Sequence, residues 1–409
     1  GLIGFAWRRS VAGILGALIL AVHPWHIRYG IDLRGYSWVV LWTATGMLWL
    51  TCLLRSGRSK WWPWWAFGVN QALLVWSFLY GAAVAAAFFG VVALLVPFVW
   101  KSQEDRWAAW FRLILVNVVA AMIFIQLFAP NLLQMTRWLD DVTQHHAGHG
   151  LNADKFIDFV GWWFAGTTWE LPQIPESAGL ADLASRSAPA LMGTAMILIG
   201  SLVGIGLYSM GRRSRPLALI LGAPLVGGAV LLAFFWVTQD FFYPRFLIFL
   251  VIPMALGLGL ACDWQSTGSR YRILLAAAVL GGLCWLMNPQ WGVLMSRPYA
   301  PMRDVAEVFA AESSPALFAC YGHGREMLPD YAPEVREASS LAELKALAAE
   351  AKAKGVGLVV AVGYLPFNRT MIPDGFEWLD DPEHFEVIAT RLGIEPDFYF
   401  RVLRWTGKS

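Results

Sequence analysis

The sequence predicts a polytopic α-helical membrane protein of about nine transmembrane helices, ending in a small C-terminal α/β domain. Three observations predict this. Hydrophobic residues make up 57% of the 409 residues and charged residues only 15%, with a mean hydropathy of +0.52; soluble domains carry about 25% charged residues. Apolar runs alternate with short basic turns over the first three quarters of the chain. Past residue 297 the apolar runs stop, and strand-like and helix-like segments alternate instead.

The elements follow in order. The chain opens inside apolar sequence at Gly1, and residues 1–7 read as the tail of a helix whose start is missing, so further N-terminal helices are expected upstream. A bilayer-crossing helix needs about 20 mostly apolar residues, fewer at the margin. On that criterion the spans fall at 10–22, 36–54, 64–80, 82–100, 107–128, 189–210, 217–237, 246–262 and 271–287. The run 64–100 is too long for one crossing and divides near Gly81. Trp61, Trp62, Trp64 and Trp65 read as an interfacial belt, because indoles favour the water–lipid boundary.

Basic residues mark the sides. One set of turns holds Arg8 and Arg9; Arg55, Arg58 and Lys60; Lys101 and Arg106; Arg212, Arg213 and Arg215; and Arg270 and Arg272. The opposite set holds few, chiefly Arg28, Arg34, Arg137 and Arg245. The positive-inside rule puts the first set in the cytoplasm. The segment around residues 23–37, the long loop 130–188, the turn 240–245 and everything after 288 then face outward. This gives a transmembrane domain over 1–297 and an extracytoplasmic domain over 298–409. The expected setting is a multi-pass cell membrane, a bacterial inner membrane by its basic loops and by the lack of an outer disulfide pattern.

In the C-terminal domain, 301–312 reads as a helix with proline in its first turn, and 316–321 as a strand. Ser340 followed by Glu343 is a capping-box pattern opening a helix that stops at Gly355. Strands are expected at 356–364, 385–389 and 398–403. Of four cysteines, Cys52, Cys262 and Cys284 lie in apolar runs and only Cys320 in the soluble part. Neither a disulfide framework nor a zinc pattern results. A net charge of +2 gives no sign of nucleic-acid binding.

The most suggestive run is His23-Pro24-Trp25-His26-Ile27-Arg28-Tyr29-Gly30-Ile31-Asp32-Leu33-Arg34-Gly35-Tyr36. A charge at the bilayer centre costs about 2.5–3.5 kcal/mol even on the lenient insertion scale. Asp32 and the arginines are therefore expected at the interface or in a wet cavity, in reach of a polar substrate. The run resembles the GT-C superfamily of membrane glycosyltransferases, which is protein O-mannosyltransferase-like and includes aminoarabinose transferase and the RgtA/B/C/D-like proteins. In their pattern a small-Pro step and an aromatic turn lead to acidic-x-Arg-x-Tyr at the head of the next helix. Here these are His23-Pro24, Tyr29 and Asp32-Leu33-Arg34-Gly35-Tyr36. Tyr243-Pro244-Arg245-Phe246 is similar to the family's Pro-Arg-aromatic turn before a late helix.

The resemblance implies a polyprenyl-phosphate-linked sugar donor and a glycan, lipid or protein acceptor. Transfer would take place on the outer face by single displacement with inversion. Arg34 and Arg245 would bind the donor phosphate, where a guanidinium makes paired hydrogen bonds and steadies the leaving group. Asp32 would orient Arg34 or a sugar hydroxyl, Tyr36 would support it, and Asp240 is a further candidate. The family's acidic base lies in the first outer loop, expected upstream of Gly1, so no catalytic base is assigned. No cofactor or metal is expected. His145, His146 and His149, with Asp140 and Asp141, have zinc-like spacing but read as solvated loop residues. Trp162, Trp163 and Trp169 read as interfacial, and Tyr321-Gly322-His323-Gly324 as an ordinary strand–helix turn. The alternative reading is a non-enzymatic transporter, flippase or scaffold for lipid-linked sugars.

Overall fold

A computed structural model describes residues 1–30, 35–56, 60–145, 150–166, 189–239, 242–263, 269–322, 324–365, 368–369, 372–394 and 399–407. The chain forms two compact units, one within residues 1–290 and one over 291–409.

The first unit is helical. Its described elements are α1 (Leu2–Ala6), α2 (Ser10–Val22), α3 (Pro24–Gly30), α4 (Tyr36–Ser56), α5 (Trp62–Ser77), α6 (Gly81–Val99), α7 (Gln103–His145), α8 (Ala153–Ala165), α9 (Pro189–Arg213), α10 (Arg215–Thr238), a 3₁₀ turn (Pro244–Leu250), α11 (Val251–Cys262) and α12 (Ser269–Ser296). Among the described residues, seven helices are long and apolar enough to cross a membrane, or eight if the bent pair α2–α3 is one span. That is consistent with a multi-pass membrane protein.

Two of the nine expected spans fall short. α2 ends after 13 residues and meets α3 at a 62° bend. His23 is extended (ψ 118°) because the ring of Pro24 disfavours helical backbone in the residue before it. α5 has only 16 residues and stops at Phe78, whose backbone is extended. The expected loop at 130 is a second correction: α7 runs through Pro130 to His145. A proline inside a helix removes one hydrogen bond at about 3 kcal/mol, and Pro97 and Pro224 are tolerated inside α6 and α10 in the same way. Of the four tryptophans of the expected belt, three face outward and one packs inside the protein. Trp61, Trp62 and Trp65 are exposed, but Trp64 is buried against Trp100, 6.0 Å between ring centroids.

The segment Pro244–Cys262 is the core of this unit, with 94% of its apolar stretch buried. Its closest neighbours are α2 and α9, and small residues set the spacing. A side chain at Gly259 would lie 2.5 Å from the Ala12 carbonyl oxygen, and one at Gly206 would strike the Gly257 backbone. Apolar helices in lipid gain little from hydrophobic burial against one another, so close backbone approach has to supply the packing.

The second unit carries α13 (Met302–Ala310), β1 (Ala316–Tyr321), β2 (Arg336–Ala338), α14 (Leu341–Lys354), β3 (Gly357–Gly363), α15 (Pro373–Leu379), β4 (Phe385–Leu392) and β5 (Tyr399–Trp405). The sheet order is β2-β1-β3-β5-β4. β1 runs parallel to β2 and β3, with Ala319 opposite Val360, while β5 is antiparallel to β3 and β4. Both sheet faces are covered, one by a cluster around Leu344, Val360 and Phe376 and the other by Val305, Phe309 and Phe400. Ser340 caps α14 by accepting from the Glu343 N–H. The Glu343 carboxylate accepts from the Ser339 N–H at 2.7 Å and its hydroxyl at 2.9 Å, which holds its carboxyl below the usual range. Gly355 closes the helix in the left-handed region, φ +67°. β2 and α15 are additions to the elements expected from sequence.

Candidate functional site

The residues with chemistry in the helical unit gather where α3, α4 and the 3₁₀ turn Pro244–Leu250 begin or end. Tyr36 heads α4 and is 5% exposed. Its ring meets Tyr29 edge-on at 5.1 Å and Phe78 at 5.3 Å. Arg245 lies in the first turn of the 3₁₀ segment, with its guanidinium 4.3 Å from the Tyr243 ring centroid and 5.7 Å from that of Tyr36. Phe246 extends the same aromatic set to Tyr80 at 4.9 Å and Phe78 at 5.4 Å.

The other end of the cluster holds a second arginine. Arg28 is 3% exposed, its guanidinium 4.9 Å from the Trp162 ring and 5.2 Å from that of Tyr29. Two guanidiniums thus flank one pair of touching tyrosines, Tyr29 and Tyr36. Aromatic faces suit guanidinium, which is more weakly hydrated than ammonium, and a desolvated contact of this kind contributes about 2 kcal/mol.

α8 holds the arrangement in place. Asn152 caps it, accepting from the Lys155 N–H at 2.8 Å. Trp163 Nε1 donates to the Leu250 carbonyl at 2.8 Å, and the Trp163 carbonyl lies 3.2 Å from Nε2 of the fully buried His23. Gly166 ends α8 at φ +66°, where a Cβ would sit 2.6 Å from the Pro24 ring. Only glycine allows both the backbone and the approach. Trp162 is thus buried and Trp163 half-buried against the protein, because α8 folds back onto the His23-Pro24 corner.

No family model, curated protein or solved structure matches this chain. The site is accordingly read from its own geometry.

Of the residues expected from sequence, Tyr36 and Arg245 come together. Asp32, Arg34 and Asp240 lie outside the described residues, as do His146, His149, His323 and Trp169. Sequence reasoning assigned no site role to two groups. Arg28 carried the same signal as Arg34, a basic residue on the side of the helices that otherwise lacks them. Lys155 gave none. Its Nζ is buried and lacks a hydrogen-bond partner among the described residues, and burial lowers its pKa to about 8.

No group of three His, Cys, Asp or Glu side chains able to hold a metal occurs among the described residues. In the α/β unit, the turn after β1 leads to one 3₁₀ turn, Leu328–Asp330, rather than to a helix. Its two glycines are at φ +80° and +96°, and the space a Cβ would take is filled by Asn368 at Gly322 and by Tyr364 and Phe400 at Gly324. Asn368 is held there by donating to the Gly363 carbonyl at 2.6 Å. The thiol of Cys320, buried in β1, is pushed up to about 12, which keeps it un-ionised and unreactive.

Proposed function

We propose that this protein is an integral membrane glycosyltransferase of the GT-C type. It moves a sugar from a polyprenyl-phosphate donor to a glycan, lipid or protein acceptor on the outer face of the membrane. The observation that carries this reading is the meeting of Arg245 with Tyr36. It joins the two family-like motifs, far apart in sequence, in one aromatic cluster that Arg28 also borders through Tyr29. A lipid-linked donor presents one phosphate charge at the end of an apolar tail. Guanidiniums fixed on aromatic rings bind such a phosphate through paired donors and stabilise the charge that develops on it as the sugar departs. Asp32, Arg34 and Asp240 border this cluster in sequence and complete the donor site in this reading.

A second reading has its own observation. The 62° bend at His23-Pro24 separates α2 from α3, a pair apolar enough to cross together, beside the buried Arg28. Broken helices with polar groups at the break are how many transporters bind substrate, so a carrier of lipid-linked sugars is the alternative.

The test uses the full-length protein in proteoliposomes with polyprenyl phosphate sugars, following release of free polyprenyl phosphate. Release that collapses in Arg245→Ala and Arg34→Ala supports the transferase. Movement of labelled lipid between leaflets with no release from any donor replaces it with the carrier.

A further inference from the structure

The opposite end of the helical unit carries a second basic cluster that the proposed reaction leaves unused. Arg9 is the N-cap of α2, Arg213 ends α9, Asp263 is the C-cap of α11, and Arg272 lies in the first turn of α12. The tight glycine contacts of α11 with α2 and α9 bring these helix ends side by side. Asp263 is 4% exposed and accepts from Arg272 Nη1 at 3.2 Å. Among the described residues, Arg9, Asp263 and Arg272 lie close enough to act on the charge of the Arg213 guanidinium. All three arginines are half-buried.

The charge balance is one-sided. Within residues 8–9, 212–215 and 263–272 the sequence holds seven arginines, no lysine and a single carboxylate. The three arginines around Asp263 leave a surplus of two positive charges after it is counted. A random solvated basic turn would mix lysine and arginine and would not be organised about a buried acid. Arginine binds phosphodiester oxygens in pairs, whereas lysine acts as a point charge. Basic pockets between helix ends at a membrane surface hold anionic headgroups.

We propose that Arg9, Arg213 and Arg272, braced by Asp263, bind the headgroup of an anionic phospholipid with two phosphates, of the cardiolipin type. Two phosphodiester charges match the surplus of two. Asp263 holds Arg272 in place and keeps the cluster from repelling itself when no lipid is bound. The inference rests on the membrane reading of the helices and is independent of the transferase reading.

The experiment is lipid titration of the delipidated full chain in detergent, read by native mass spectrometry, with cardiolipin, phosphatidylcholine and inorganic phosphate as probes. Cardiolipin should bind in preference to phosphatidylcholine. Arg213→Gln with Arg272→Gln should weaken it roughly tenfold or more, while Arg55→Gln with Lys101→Gln, both exposed basic residues elsewhere in the unit, should leave it unchanged. Equal loss in the two double variants overturns the site in favour of general surface charge. Displacement of cardiolipin by millimolar inorganic phosphate overturns the lipid as occupant. If the glutamine variant does not fold, Arg213→Lys with Arg272→Lys keeps the charge and removes the paired donors. A severalfold loss there supports the proposal, and wild-type affinity overturns it.

Discussion

Two apolar helices of the same unit have opposite surroundings. The stretch Pro244–Cys262 is 19 residues long with 94% of its apolar window buried, whereas Arg270–Asn288 is also 19 residues long with 11% buried. Both pass any hydropathy test for a membrane span. The difference lies in what lines their surfaces. The central segment presents Gly257 and Gly259 to neighbouring backbones, while among the described residues nothing lies within 4 Å of where a side chain would extend from Gly281 and Gly282 in α12. Apolarity therefore says that a helix can leave water, and backbone approach says whether it meets protein. In the proposed membrane setting α12 meets acyl chains.

The sharpest way to break this comparison is to add volume. Gly259→Leu should cost about 3 kcal/mol or more by overpacking and abolish monodisperse protein in size-exclusion chromatography, while Gly282→Leu should elute as wild type. Equal damage in both would mean that α12 packs as tightly as the core. Removing volume gives a smaller effect. Phe249→Ala, at a fully buried site, should lose about 3–5 kcal/mol. Trp285→Ala, at a site 58% exposed, should stay within about 0.5 kcal/mol, both read as thermal midpoints.

Native cysteines sharpen the contrast by their reactivity. Cys262 is buried at the end of α11 and Cys284 is half-exposed on α12. In variants that keep one cysteine each, a membrane-permeant maleimide at alkaline pH should label Cys284 faster than Cys262, which should react only after denaturation.

The smallest effect concerns α8, which packs on the central segment through Trp163. Lys155 carries an amine lowered to about 8 by burial from an ordinary 10.5. Below pH 8 the folded and unfolded forms are both protonated, and the folded form bears the whole cost of the buried charge. Between about pH 8 and 10.5 the folded form releases its proton first, so stability should rise with pH across that window. Lys155→Met should raise the thermal midpoint at pH 7 and flatten the rise. A midpoint that falls instead would mean that the ammonium is stabilised where it sits.

Much of this architecture was legible in the sequence, because hydropathy and capping are local. The seven long apolar helices and strands β1, β3, β4 and β5 all came from periodicity, run length and turn residues. What failed was decided by contacts. α5 looked like a crossing helix until Phe78 turned extended, and three-residue β2 has no pattern of its own and exists because β1 pairs with it. α7 outran its proline because backbone bonds on either side outweigh the one removed. At the candidate site the motifs were readable, with Tyr36 and Arg245 picked out in advance. That Arg28 shares their cluster was not, since it takes the fold-back of α8 to lay Trp162 against it.

The burial of Pro244–Cys262 also has a consequence for how the chain is made. Its main neighbours, α2 and α9, are synthesised before it, so for part of translation they enclose a vacant slot that this segment alone fills. In the proposed membrane setting, its mean hydropathy of 2.2 would let it wait in lipid before joining them. A chain that ends before residue 244 would leave the glycine contacts of α2 and α9 with this segment unmade.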